Sequence, residues 1–189
     1  MESKEQIIKI VTRLFAKYGV RSLSMKDIAW QSGLTKKKLY EYFKNKEEIV
    51  VGVVTSSYQE WKQLIEVKIK SDGNPIDILL DVYYSRFQIF TDFNPIFYTE
   101  SEKTYSEVAS LYKSYGEEFS QDVVIPLLKR AQEQQLLKPE VDVEEVITFH
   151  QFLFESLLHD DAFFRSKKDK LLMFKHWFEY PIKGMLLHS

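Results

Sequence analysis

Cysteine is absent from the 189 residues. This excludes a disulfide scaffold, thiolate metal sites and a cysteine nucleophile, and it fits a reducing compartment. Chain breakers are scarce, with six glycines and five prolines. A sandwich or barrel needs many tight turns, so the scarcity points to long helices. No apolar run reaches the roughly 18 residues that would cross a bilayer, and the opening Met-Glu-Ser-Lys-Glu-Gln lacks the basic-then-apolar pattern of a secretory signal. A cytoplasmic location with no membrane partner is therefore expected. Catalytic signatures are missing as well. There is no glycine-rich phosphate loop, no nucleophile elbow and no His-Glu-x-x-His zinc motif. Of the histidines, His150, His159, His176 and His188, His159 stands four residues from a carboxylate, Glu155, on one helical face. No third ligand follows at a metal-binding spacing, so an ion pair or a core histidine is the simpler reading. The chain reads as neither an enzyme nor a holder of metal or cofactor.

What is present is unevenly spread. The formal net charge is −2, yet residues 1–50 hold 11 Lys and Arg against 6 Asp and Glu, whereas residues 51–189 hold 15 against 22. A basic segment on an acidic body is expected where only one end of a molecule meets a polyanion. With 44% hydrophobic residues the chain can build a core, and its aromatic content of 15% is high.

The few breakers divide the chain into helical lengths. Ile7, Val11, Leu14, Phe15 and Tyr18 lay one apolar stripe on a first helix from about Lys4 to Tyr18, and Gly19 suits its stop. Ser24, with Asp27 three residues on, opens a short second helix as a capping box, and Met25, Ile28, Ala29 and Ser32 make its inner face. Gly33 ends it. Thr35 caps a third helix to about Phe43, anchored by Leu39 and Phe43. Asn45, with Glu48, opens a fourth that runs to about Lys70, although Gly52 and its flanking valines weaken it. Beyond Asp72 a larger helical body follows. Its helices are expected from Pro75 to about Phe90, near Ser101–Tyr115, and from Glu117 to Leu137 with a kink at Pro126. Two more are expected over Val143–His159 and Lys168–Leu187, the last interrupted near Pro181.

Residues 24–46 carry the functional signal. Two short helices joined by a tight turn form a helix-turn-helix, whose second helix enters the DNA major groove. Ala29, Gly33 and Leu39 stand where such a motif needs a small contact, a turn and an anchor. With Leu39 facing the core, a rotation of about 100° per residue points Lys37 outward, flanked by Lys36 and Tyr40 on one side and by Lys38 and Tyr42 on the other. Lysine reaches guanine edges or phosphate, and tyrosine hydroxyls bond phosphate. A bare lysine triplet also reads as a solvated face. The capped helix, the glycine turn and the interleaved tyrosines favour DNA.

Residues Ile8 to Val50 resemble the N-terminal domain of TetR/AcrR-type transcriptional regulators. The resemblance rests on Leu14-Phe15-Ala16 with Tyr18-Gly19, on Ser24-Met25-Lys26-Asp27-Ile28-Ala29, and on Ser32-Gly33-Leu34-Thr35. It continues through Leu39-Tyr40, Tyr42-Phe43, Asn45-Lys46-Glu47 and Ile49. It implies an all-α fold of about nine helices, with a helix-turn-helix domain at 1–46 and a helical ligand-binding and dimerisation domain at 47–189. It implies that Thr35 caps the recognition helix, that Lys36, Lys37 and Lys38 face base edges, that Tyr40, Tyr42 and Lys46 contact the backbone, and that Lys26 reaches the groove edge. Lys37 and Lys38 replace the Gly or Pro and then Thr that many members carry, and Trp30 stands where a polar residue is common.

The resemblance further implies a homodimer on a (pseudo)palindromic operator, released by a small apolar or aromatic effector whose identity is unknown. Tyr83, Phe87, Phe90, Tyr98, Tyr112, Phe119, Phe149 and Phe152 are the candidate pocket residues, although core packing alone also explains such aromatics. Val143–Leu158 is apolar nearly all round, which calls for cover on more than one side. Phe154, Leu158, Phe174 and Phe178 are the candidate dimer contacts. Two alternatives stay open: a constitutive DNA-binding protein without a ligand, and a helical small-molecule-binding protein that no longer binds DNA.

Overall fold

The structure, a computed structural model, describes residues 3–92, 97–158 and 169–187, and the side chains of Phe90 and Leu158 lie outside that description, as do His159 and His188. The described residues form helices, with one isolated β-bridge between Leu137 and Leu186. In chain order these are α1 (Lys4–Tyr18), α2 (Met25–Gln31), α3 (Lys36–Tyr42), α4 (Lys46–Ile69), α5 (Pro75–Asp92), α6 (Phe97–Thr104), α7 (Ser106–Phe119), α8 (Ile125–Glu133) and α9 (Val143–Leu158). A last stretch comprises Lys170–Phe174, a π-helical turn at Lys175–Glu179, and Tyr180–Gly184.

Local chemistry sets the first boundaries. Ser3 and Gln6 exchange capping bonds at α1, and Gly19 ends that helix at φ 77°. At α2 the Ser24 Oγ accepts from Asp27 N–H at 3.2 Å while Asp27 accepts from Ser24 N–H at 2.8 Å, the reciprocal pair expected. Gly33 takes φ 69°, a left-handed conformation that glycine adopts without a Cβ penalty. Thr35 accepts from Lys38 N–H at 3.1 Å. At α4 the box is skewed. Asn45 Oδ1 accepts from Glu48 N–H, but the Glu48 carboxylate reaches back to Lys44 N–H instead of to Asn45, both at 2.9 Å.

The chain divides into two units, and the division differs from a cut after residue 46. The first unit is Met1–Glu60 with Asp92–Lys113, and the second is Trp61–Thr91 with Ser114–Ser189. The first unit extends past the helix-turn-helix because α4 supplies core to it: Ile49, Val50 and Val53 are buried, as are Phe15, Ile28, Leu39 and Phe43. Gly52 explains itself here. A Cβ at that position would lie 2.6 Å from Ile8 Cδ1, so the missing side chain lets α1 approach α4. The first unit also takes in α6. Phe97 packs on Phe15, and Glu100 accepts from Arg21 N–H at 3.1 Å.

Two expectations for the body are revised. The single helix near Ser101–Tyr115 is two helices, joined at Tyr105, whose N–H closes α6 on Ser101 and whose carbonyl opens α7 toward Ala109. The expected kink at Pro126 is a π-helical turn over Ser120–Val124, and Pro181 follows a second one over Lys175–Glu179. A proline ring clashes with the carbonyl four residues back. In both places the residue before the proline, Ile125 or Tyr180, bonds five residues back instead, to Ser120 or Lys175. The helix widens ahead of the proline.

Candidate functional site

The outer face of α3 is assembled as the rotation about Leu39 requires. Leu39 is buried, whereas Thr35, Lys36, Lys37, Lys38 and Tyr40 are exposed and Tyr42 is half-buried. Two of the lysines lean on tyrosines one turn away: Lys36 Nζ lies 5.7 Å from the Tyr40 ring centre and Lys38 Nζ lies 5.3 Å from that of Tyr42. Lys38 also pairs with Glu41 at 2.5 Å, and that carboxylate raises its pKa. Lys37 carries no such restraint among the described residues, so its ammonium is the most available of the three. Lys26 is exposed on α2, and on the same helix Trp30 is 81% exposed.

Lys46 departs from its expected place. Its ammonium donates to the Val20 carbonyl at 2.5 Å, and its half-burial lowers its pKa, so it ties the α1–α2 loop to α4 rather than standing in solvent for phosphate. This role was invisible from spacing because the two residues lie 26 apart.

The candidate pocket residues separate into three groups. Tyr83, Phe87 and Phe119 are buried together in the second unit, with Tyr83 5.7 Å from Phe119. Tyr98 and Tyr112 belong to the first unit, where their rings lie 5.6 Å apart and the Tyr112 hydroxyl bonds Ser101 at 3.0 Å. Phe149 and Phe152 are 52% and 66% exposed and therefore line no interior. The candidate dimer residues show the converse. Phe154, Phe174 and Phe178 are buried, with Phe154 and Phe178 4.8 Å apart, so their side chains serve the core of the second unit. An all-round apolar α9 hides which side its own unit covers.

His150 has no assigned role in the sequence pattern. It is 3% exposed, and its Nδ1 lies 3.0 Å from the Tyr83 hydroxyl. Its ring sits against Tyr83 at 5.0 Å and Phe178 at 6.0 Å. Burial lowers its pKa to about 4 and pushes that of Tyr83 up, so both groups are neutral near pH 7. A lone histidine in an apolar helix was the available signal. Arg86 stacks on the same cluster, 4.3 Å from the Phe119 centroid and 4.9 Å from that of Phe154.

With this geometry in place, comparison with known proteins identifies the head. Residues 3–53 match the family described as bacterial regulatory proteins, tetR family. This N-terminal segment belongs to the TetR family. It is 21% identical over 151 residues to the HTH-type transcriptional repressor KstR2 of Mycobacterium tuberculosis, covering 76% of this chain and 74% of that protein. To the HTH-type transcriptional regulator AcrR of Shigella flexneri it is 29% identical over 82 residues, 43% of this chain and 38% of the relative. A solved transcriptional regulator from Cytophaga hutchinsonii shares the fold with a TM-score of 0.74 at 19% identity, covering 95% of this chain and 94% of that one. The matched TetR segment contains α1–α3 and the first turns of α4, which are the elements that present the Lys/Tyr face. Among the described residues no helix is long and apolar enough to cross a membrane.

Proposed function

We propose that this TetR-family protein is a ligand-responsive transcriptional repressor that acts as a homodimer in the cytoplasm, binds a (pseudo)palindromic DNA operator and leaves it when a small-molecule effector binds. The observation that carries the DNA half is the α3 face, where Lys36, Lys37 and Tyr40 are exposed behind a capped glycine turn. Two such helices related by a two-fold axis would read half-sites about one helical turn, or a multiple of it, apart. Phe149 and Phe152, three apart and both exposed on α9, supply an apolar face for a second copy, and Leu171 and Leu172 are exposed in the same unit. The effector half rests on the aromatic cluster around Tyr83. The effector must bind the DNA-competent and DNA-free states with different affinity, or it shifts nothing. We assign the coupling to α4, whose residues 46–60 belong to the first unit and 61–69 to the second.

A salt-titrated gel shift tests the reading. The purified protein is titrated against the DNA upstream of its own coding sequence, a scrambled duplex and a pool of random duplexes. Preferential binding with a steep salt dependence is expected, because each neutralised phosphate releases a counterion. Failure to bind even the random pool at low salt would refute it.

A further inference from the structure

We infer that the Nε2–H of His150 is the hydrogen-bond donor of an effector site in the second unit, which takes an apolar molecule carrying one neutral acceptor oxygen, such as a ketone. The inference rests on the reading of that unit as ligand-responsive. The Tyr83 hydroxyl and His150 Nδ1, 3.0 Å apart, share one hydrogen bond. If Nδ1–H donated, both the hydroxyl proton and the Nε2 lone pair would be buried without partners. If the hydroxyl donates, Nδ1 accepts and only Nε2–H is left over. The second arrangement strands fewer groups, so Tyr83 sets the tautomer and Nε2 carries the proton. That nitrogen is shielded from solvent and has no hydrogen-bond partner among the described residues. Buried polar groups are almost always paired, so an orphan donor in an aromatic surround needs an explanation.

Two walls of this cluster lie at π-helical turns. Phe178 lies within the π-helical turn at Lys175–Glu179, and Phe119 immediately precedes the one at Ser120–Val124. Both rings pack on Tyr83, at 5.6 and 5.7 Å. The Ser120–Val124 turn is tied to the His150 helix, since Gln151 donates to Ser120 Oγ at 2.8 Å. Single π turns recur at functional sites. The donor is neutral, because burial holds the imidazole pKa near 4. It therefore offers a hydrogen bond without a charge. A carbonyl oxygen accepts that proton with no charge to bury.

The test uses the full chain labelled with 15N at histidine and two probes of similar size, acetophenone and cumene, in which a CH–CH3 group stands in place of the carbonyl. In the free protein the His150 signals, assigned by their loss in His150→Phe, should show the neutral Nε2–H tautomer. Acetophenone should move the Nε2–H resonance downfield and bind about 2- to 10-fold more tightly than cumene, the range that one neutral hydrogen bond supplies. In His150→Phe cumene should still bind and the preference should vanish. An Nδ1–H tautomer, equal affinity for the two probes, binding of neither up to their solubility, or a preference that survives His150→Phe would each overturn the inference. The tautomer and the affinity ratio are read on the unaltered protein, so they stand even if the variant does not fold. No DNA enters the assay, so its failure is distinct from failure of the gel shift.

Discussion

Placing alanine at Gly52 sets two known effects against each other. Replacing a mid-helix glycine by alanine favours the helix by about 1 kcal/mol. Against this, the new Cβ would stand 2.6 Å from Ile8 Cδ1 and 3.3 Å from Ile8 Cγ1. Ile8 is buried, and forcing an extra methyl into a packed site costs roughly 1–3 kcal/mol. Gly52→Ala alone should therefore be destabilising by up to about 2 kcal/mol. Ile8→Val removes the Cδ1 atom that makes the worst overlap, at its own cost of about 0.5–1.5 kcal/mol. In that background Gly52→Ala should become neutral or stabilising as the helix propensity is released. The four proteins of this cycle are compared by urea denaturation followed by circular dichroism, at one protein concentration. A coupling of about 1–2 kcal/mol in favour of the double variant is expected for residues in direct contact. Equal cost of Gly52→Ala in both backgrounds, or a stabilisation of about 1 kcal/mol by Gly52→Ala alone, would refute the close-approach argument.

Three further expectations follow from the same structure. His150 has a folded pKa of about 4 against an ordinary 6.5, so the unfolded chain takes up a proton first as pH falls. Its contribution to stability is complete above pH 6.5 and declines toward pH 4, by about 3 kcal/mol in all. Tyr83, and Arg86 stacked on the same cluster, keep their protons over this range, so urea titrations across it should show a shallower pH slope in His150→Phe; an unchanged slope would contradict the burial assignment. Lys37→Ala should leave stability within about 0.5 kcal/mol and lower the salt slope of DNA binding by roughly one, whereas Lys46→Ala should lower the denaturation midpoint, because it strips the Val20 carbonyl of its partner. Phe149→Glu with Phe152→Glu should shift the protein to monomer in sedimentation equilibrium without loss of helicity, since both side chains are exposed in the single chain; an undisturbed dimer would move the interface elsewhere.

Sequence alone determined the features whose cause lies within one or two helical turns. The reciprocal bonds of Ser24 and Asp27, the Thr35 cap and the positive φ of Gly19 and Gly33 each need only neighbouring residues. The angular position of Lys37 opposite Leu39 follows from helix geometry once those caps set the register. These were enough to read the DNA-binding head. Tertiary structure alone decided which of several apolar faces is covered and by what. On α9 Phe154 is buried while Phe149 and Phe152 are exposed, a distinction that the helix cannot make for itself because apolar residues surround it. The Tyr83–His150 bond spans 67 positions, and Lys46 meets Val20 across 26. Gly52, a weakness when judged as helix, is the place where Ile8 needs room. Hydrophobic burial has no direction along the chain, so composition sets how much is buried while packing sets which residues share the interior.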